Sequence, residues 1–242
     1  MVLKLLVSPR SPVEAVEALR GGADIIDCKN PAEGSLGACP PWVIQEIKDA
    51  IAAEDGESVE LSATLGDLPA LPGTAALAAS GLAHVGVNYI KAGVHGPKTA
   101  EQARNLLEFI AKAALQVDDC VKVVAASYAD YKRARIAIPP MDLVDIAGAA
   151  GCAVVMVDTA IKDGRGLRDF MTEEAISTFC ERAAGAGMEV ALAGNLKLGD
   201  FPFLKSAGAT IIGVRSLVCT GGDRATGHVE ADLVRRVKAA MA

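Results

Sequence analysis

Pro12-Val13-Glu14-Ala15-Val16-Glu17-Ala18-Leu19-Arg20-Gly21-Gly22-Ala23-Asp24-Ile25-Ile26-Asp27-Cys28-Lys29 contains the unit that the rest of this chain repeats. Its first half, Pro12–Arg20, is a helical pattern that opens on proline and stops at a glycine pair, as helices begin and end. Its second half, Asp24–Cys28, is a short apolar run of the kind that forms a strand buried on both faces. Reading outward, the same strand signal recurs at Leu3–Val7, Val59–Thr64, His84–Ile90, Lys122–Ala126, Ala153–Val157, Met188–Leu192 and Thr210–Val214. Helical patterns fill the intervals at Pro41–Ala53, Gly73–Ser80, Thr99–Leu115, Met141–Ala150, Thr172–Ala184 and Leu196–Ala207, and one more follows at Val229–Ala240. Parallel strands need crossover helices, so strict alternation predicts an α/β protein. An open doubly wound sheet would alternate in the same way. Near-equal units in this number, with no G-x-G-x-x-G after the first strand, favour a single (β/α)8 TIM barrel over residues 1–242. The segment Gly66–Pro72 reads as a loop, and no linker or low-complexity segment marks a boundary.

The totals agree. A chain of 242 residues with 51% hydrophobic content can bury a large core, built from aliphatic side chains because aromatics are only 4%. The longest uncharged apolar stretch, Ile146 to Val157, is too short to cross a bilayer. Met1–Pro9 lacks a signal-peptide pattern and reads as the approach to the first strand, so a cytoplasmic protein without membrane association is expected. A net charge of −6 and the absence of a basic block argue against nucleic acid as a partner. Six scattered cysteines and three distant histidines show no ligand spacing, so neither disulfides nor a protein-bound metal is expected. A monomer and a homo-oligomer fit the composition equally.

A barrel carries its site at the carboxyl ends of its strands. Alternation turns Asp27 and Lys29 to one side of the sheet and Cys28 to the other. A lysine desolvated at a barrel mouth, or crowded by other cations, loses proton affinity and can form an imine with a carbonyl compound. The plainer reading is a structural Asp27–Lys29 ion pair. Lys91, after Asn88-Tyr89-Ile90, is either a further amine at the same mouth or a solvated lysine at a loop start. Asp158 ends the sixth strand, and Lys162 lies in the loop beyond it. That pair could act on substrate or serve as a loop salt bridge. Gly194 and Gly213, at the ends of the last strands, allow close backbone approach. Arg215 could fork onto phosphate oxygens, the usual arrangement for phosphate at the end of a barrel. Turn glycines and a surface arginine are the alternative. Gly34–Ala38 reads as a flexible loop that could cradle a second phosphate. Asp223-Arg224 reads as a solvated turn pair.

The run Gly21–Ala38, with Asp158-Thr159-Ala160-Ile161-Lys162-Asp163-Gly164 and Gly221-Gly222-Asp223-Arg224, closely resembles the (5-formylfuran-3-yl)methyl phosphate synthase family of methanofuran biosynthesis. The resemblance spans nearly the whole chain. It implies a barrel lyase that condenses two glyceraldehyde 3-phosphate molecules, losing phosphate and water, with no cofactor. It further implies that Lys29 forms the Schiff base, that Lys91 accepts a proton, and that Asp27, Asp158 and Lys162 are site residues. Cys28 departs from the pattern, where an ordinary strand residue such as valine is expected. It should point outward, away from the chemistry. Two other readings stay open from the residues alone: a class I-type triose-phosphate aldolase, which needs the same lysine, and a non-catalytic phosphosugar-binding barrel, which does not need clustered lysines.

Overall fold

The computed structural model describes residues 3–54, 56, 58–224 and 226–241; Met1 and Val2 of the amino-terminal segment lie outside this set. The strands β1 (Lys4–Val7), β2 (Ile25–Cys28), β3 (Glu60–Asp67), β4 (Tyr89–Gly93), β5 (Lys122–Tyr128), β6 (Val154–Asp158), β7 (Glu189–Leu192) and β8 (Ile211–Val214) pair in parallel with their sequence neighbours, and β8 closes onto β1. The helices α1 (Pro12–Arg20), α2 (Pro41–Ala52), α3 (Pro72–Val85), α4 (Ala100–Leu115), α5 (Pro140–Ala149), α6 (Glu173–Gly185), α7 (Phe201–Ser206) and α8 (Ala231–Ala239) form the crossovers. This is the expected (β/α)8 barrel. Proline opens α1, α2, α3 and α5, while the hydroxyls of Ser11, Thr99 and Thr172 accept from backbone amides at the starts of α1, α4 and α6. No helix among the described residues is long and apolar enough to cross a membrane.

Strand alternation divides the core in two. Leu6, Ile25, Tyr89, Val124, Val154, Met156, Ala191 and Ile211 fill the barrel interior. Their neighbours Leu5, Ile26, Ile90, Val123, Val155, Val190 and Ile212 pack outward under the helices. Cys28 belongs to this outer layer, as its parity requires, and burial pushes its thiol pKa far up. The amino-terminal end of the barrel is closed by a polar layer. Lys4 pairs with Glu60, Lys122 with Glu189 at 2.6 Å, and the Tyr89 hydroxyl lies 3.2 Å from Glu60 Oε2.

The seam between the first and last units is tied by more than its strand register, which runs from Lys4 opposite Ile211 to Val7 opposite Val214. Above it, Arg215 donates to the Ser8 carbonyl at 2.5 Å and to Glu14 Oε2 at 3.0 Å. Lys238 of α8 pairs with Asp24, and the Ala231 amide donates to Glu17 Oε2 at 3.0 Å.

Several boundaries differ from those expected. His84 and Val85 read as the start of a strand but end α3, with His84 Nδ1 2.8 Å from the Ser80 carbonyl one turn back. The stop is Gly86 at φ +81°, not the Ser80-Gly81 pair, and β4 begins only at Tyr89. β3 extends past Thr64 to Asp67, with a register shift at Gly66, so part of the segment read as a loop is strand. β5 likewise continues to Tyr128. The seventh helical pattern resolves into a 3-10 turn, Leu198–Asp200, followed by the short α7.

Candidate active site

The same alternation that puts Ile25 inside the barrel puts Asp27 and Lys29 above it on the inner face, with Ser8, Ser62, Lys91 and Asp158 from other strand ends. Asp27 does not pair with Lys29. Its Oδ2 accepts from Lys91 Nζ at 2.5 Å and from the Ser8 hydroxyl at 2.9 Å, and its Oδ1 accepts from the Ser62 hydroxyl at 2.9 Å. Asp158 Oδ1 accepts from Lys162 Nζ at 2.6 Å and from the Thr159 amide at 2.7 Å. Lys29 Nζ lies 3.6 Å from the other Asp158 oxygen, beyond a good hydrogen bond. So the five expected site residues converge, and among them Lys29 is the amine least committed to a carboxylate.

Lys29 is only 6% exposed. Burial pulls its amine down to about 8; Asp158 opposes that fall, while Lys162 and Lys91 add to it. Burial works against ionisation of Asp158, but Lys162, Lys29 and the Thr159 amide outweigh it and hold the carboxyl well below the usual range. An amine that is substantially neutral near pH 8, beside a permanent carboxylate and two ammonium groups, can add to a carbonyl and pass protons over short distances.

The cleft above these groups encloses about 540 Å³, part of it open to solvent. It is lined by Lys29, Asp158 and Lys162 and, from the ends of β7 and β8, by Gly194, Asn195, Gly213 and Arg215. Gly194 has φ +103°, and a Cβ there would come within 3.1 Å of Thr159 Cγ2. Glycine therefore lets the end of β7 fold against the end of β6. Arg215 lines the cleft, yet its guanidinium is spent on Glu14, Ser8 and, through Nε, the Arg224 carbonyl at 3.1 Å.

The loop after β2 differs from the flexible cradle expected of Gly34–Ala38. The Ser35 hydroxyl donates to the Thr159 carbonyl at 2.8 Å, and the Thr64 hydroxyl donates to the Leu36 carbonyl at 2.9 Å. Leu36 is fully buried in the interior cluster with Tyr128 and Ile136. This leucine plugs the β3–β5 side of the mouth, and the open cleft is left over β6, β7, β8 and β1. Leu36→Ala is expected to destabilise the protein by about 2–5 kcal/mol, the usual cost of such a cavity. It should also make the loop the first site cut in limited proteolysis, and an unchanged denaturation midpoint would show that the plug is not packed as described.

Sequence reasoning passed over several residues that build this site. Ser8 follows the end of the first strand and has the inward parity that would have exposed it. Asp130, just past β5, is 2% exposed; its carboxylate accepts from the amides of Ala160 at 2.7 Å and Ile161 at 2.9 Å, fixing the loop that carries Lys162. Arg224, set aside as a solvated turn residue, lines the cleft.

The family model described as 4-HFC-P synthase matches residues 5–238. The chain is 47% identical to a (5-formylfuran-3-yl)methyl phosphate synthase of Methanopyrus kandleri, over 99% of both chains. It is 48% identical to the protein of the same name from Archaeoglobus fulgidus, again over 99% of both. Among solved structures it resembles a 3-hexulose-6-phosphate synthase, with a TM-score of 0.64, 18% identity and coverage of 99% of this chain and 100% of that one. It also resembles a phosphoribosyl anthranilate isomerase from Thermus thermophilus, with a TM-score of 0.63, 14% identity and coverage of 99% and 98%. At such identities these structures speak for the barrel fold alone.

Proposed function

Because this chain belongs to the 4-HFC-P synthase family, we propose that it is a lyase that condenses two molecules of glyceraldehyde 3-phosphate into (5-formylfuran-3-yl)methyl phosphate through a Schiff base on Lys29, in a methanofuran-type biosynthesis. The observation that carries this reading is the Lys29 amine itself. It is buried at a strand end, its pKa falls to about 8, and it stands 3.6 Å from a carboxylate that other donors already hold.

The neutral amine adds to the aldehyde carbon of the first triose phosphate, and loss of water gives the imine. The protonated imine then draws electrons from the neighbouring carbon, whose proton leaves to give an enamine. Lys91 is the proton acceptor of this reading, and it takes that proton as a neutral amine, having first passed one of its own to Asp27 Oδ2 at 2.5 Å. The enamine carbon attacks the aldehyde of the second triose phosphate. That carbon bears the CH2–O–phosphate group, so the new bond makes this group a branch, as in a furan carrying a methyl phosphate. Closing the ring from two triose phosphates requires loss of one phosphate and two waters overall. Asp158 and Lys162, linked at 2.6 Å, can hand protons to the departing oxygens. The backbone at Gly194 and Gly213 holds a substrate phosphate at the ends of β7 and β8.

The test is incubation with glyceraldehyde 3-phosphate, following phosphate release, furan-aldehyde absorbance and product mass, with borohydride added in parallel to reduce and map any lysine adduct. Stoichiometric phosphate and an adduct on Lys29 support the proposal. A six-carbon bisphosphate without phosphate release would make the protein an aldolase, and an adduct confined to Lys162 would reverse the two lysines.

The same amine sets a pH dependence. kcat/KM should rise about tenfold per pH unit below 8 and flatten above it, as Lys29 loses its proton. Asp158 holds the Lys29 proton on, so Asp158→Asn should move this limb to lower pH while reducing kcat. A limb that stays in place in the variant would mean that another group controls it.

A further inference from the structure

Two triose phosphates bring two phosphate groups, so under the reading above the site must receive a second phosphate while the first occupies the cleft by Gly194 and Gly213. Arg215 is largely committed elsewhere, to Glu14, Ser8 and the Arg224 carbonyl. Arg224 is the reverse case. It is partly buried, and among the described residues its guanidinium makes no ion pair or hydrogen bond. Burial disfavours its charge and Asp158 offsets this only partly through space, so an anion arriving from outside would be stabilised there.

Arg224 lies on a wall shared by two hollows. One is the inner cleft by Lys29. The other is an outer cleft of about 550 Å³, part of it open to solvent, which shares Lys162, Asn195, Ser216 and Arg224 with the first and adds Gly164, Arg165, Gly222 and Asp223. Three of these residues are cationic and one is acidic. Asp223 is occupied by Thr226, whose hydroxyl and amide both donate to it. Arg165 is held by Asp163 at 2.7 Å and contributes charge more than free donors. Gly221 and Gly222 have φ of +63° and +70°, a left-handed turn beside Arg224 that branched residues rarely adopt.

We infer that the outer cleft is a second phosphomonoester subsite, with Arg224 as its principal ligand and Lys162 on its inner edge. Its rim residues Arg165, Asn195, Gly222 and Asp223 are exposed, so an anion there stays in reach of solvent. The shared wall places a molecule in the outer cleft beside one held at Lys29. That is the placement an acceptor triose phosphate needs, and the phosphate lost in the reaction then has an open way out. This inference rests on the synthase reading for its biological meaning but not for its test.

The test titrates the full chain with sn-glycerol 3-phosphate, which has no carbonyl and cannot form an imine, and with inorganic phosphate, by calorimetry. The wild type is expected to bind two equivalents of glycerol phosphate. Arg224→Ala and Arg165→Glu should each weaken one of them by at least about tenfold and leave the other unchanged, since a charged hydrogen bond to phosphate is of that size. Arg165 is exposed, so its variant guards against an Arg224 variant that misfolds, and thermal melts report the fold of both. A single equivalent in the wild type overturns the assignment. So does a second equivalent that survives Arg224→Ala, or one that Arg165→Glu leaves intact while Arg224→Ala removes it, because Arg224 would then serve the inner cleft. Two bound equivalents in a protein that fails to turn over glyceraldehyde 3-phosphate would keep the subsite and remove the synthase reading.

Discussion

Lys29→Met is expected to lower turnover of glyceraldehyde 3-phosphate by about 10⁴-fold or more, the scale seen when a covalent nucleophile is removed, and to abolish the borohydride adduct. The same variant should be more stable than the wild type at neutral pH. Lys29 is 6% exposed, and its pKa falls from 10.5 to about 8 on folding. Below pH 8 the ammonium is charged in both states, and the folded state carries the whole cost of burying it. Between 8 and 10.5 the folded lysine is neutral while the unfolded one still binds its proton, so wild-type stability rises with pH. Above 10.5 both are neutral and the difference is gone. The variant's advantage should therefore be largest at pH 7, up to about 3 kcal/mol, and fade by pH 10.5. Thermal melts at several pH values read this directly. A Lys29→Met protein that is both inactive and less stable at neutral pH would mean the lysine is structural. Retained turnover would remove it from the chemistry altogether.

The second large effect concerns the floor beneath that amine. Asp27→Ala leaves the Lys91 ammonium, 1% exposed, without its only carboxylate among the described residues, and it also strands the hydroxyls of Ser8 and Ser62. Breaking a buried pair from one side typically costs about 3–5 kcal/mol. For a chain of this length that is a fall of roughly 6–20 °C in melting temperature. The double variant Asp27→Leu, Lys91→Met removes both charges and should recover most of the loss, while remaining inactive if Lys91 moves the proton. A single variant melting within about 2 °C of the wild type would show that water reaches the pair. Recovery of stability without recovery of turnover separates the two roles of the pair.

The inner face of the site was legible because a period of two leaves little choice. Once Ile25 is inside, Asp27 and Lys29 are inside and Cys28 is out. The partners were not legible. Sequence neighbours suggested Asp27 with Lys29, but residues two apart on one strand stand about 6.5 Å apart along it, whereas inward side chains of one barrel layer come from alternate strands and meet near the axis. Pairing across the barrel won, giving Asp27–Lys91 and Asp158–Lys29. The ties of Arg215 were hidden for a related reason. Its partner Glu14 lies on the first helix, and a glutamate on an amphipathic helix gives no sign that barrel closure will bury it. The late start of β4 was hidden because His84 and Val85 are apolar enough for either element, and the left-handed Gly86 decided it.

The seam tied by Arg215, Glu14 and Ser8 also bears on how this protein comes into being. A ribosome releases β1 and α1 first and β8 and α8 last, so the oldest part of the chain waits for the youngest. Until β8 emerges, β1 has a strand on one side only, that of β2, and the part of the cleft formed by Gly213 and Arg215 does not exist. Lys29 is translated early, but the enclosure that strips water from its amine and lowers its pKa is completed only at the end. A nascent chain therefore carries Lys29 as an ordinary protonated lysine, and under the proposed synthase reading its amine becomes reactive in the same step that closes the ring of strands.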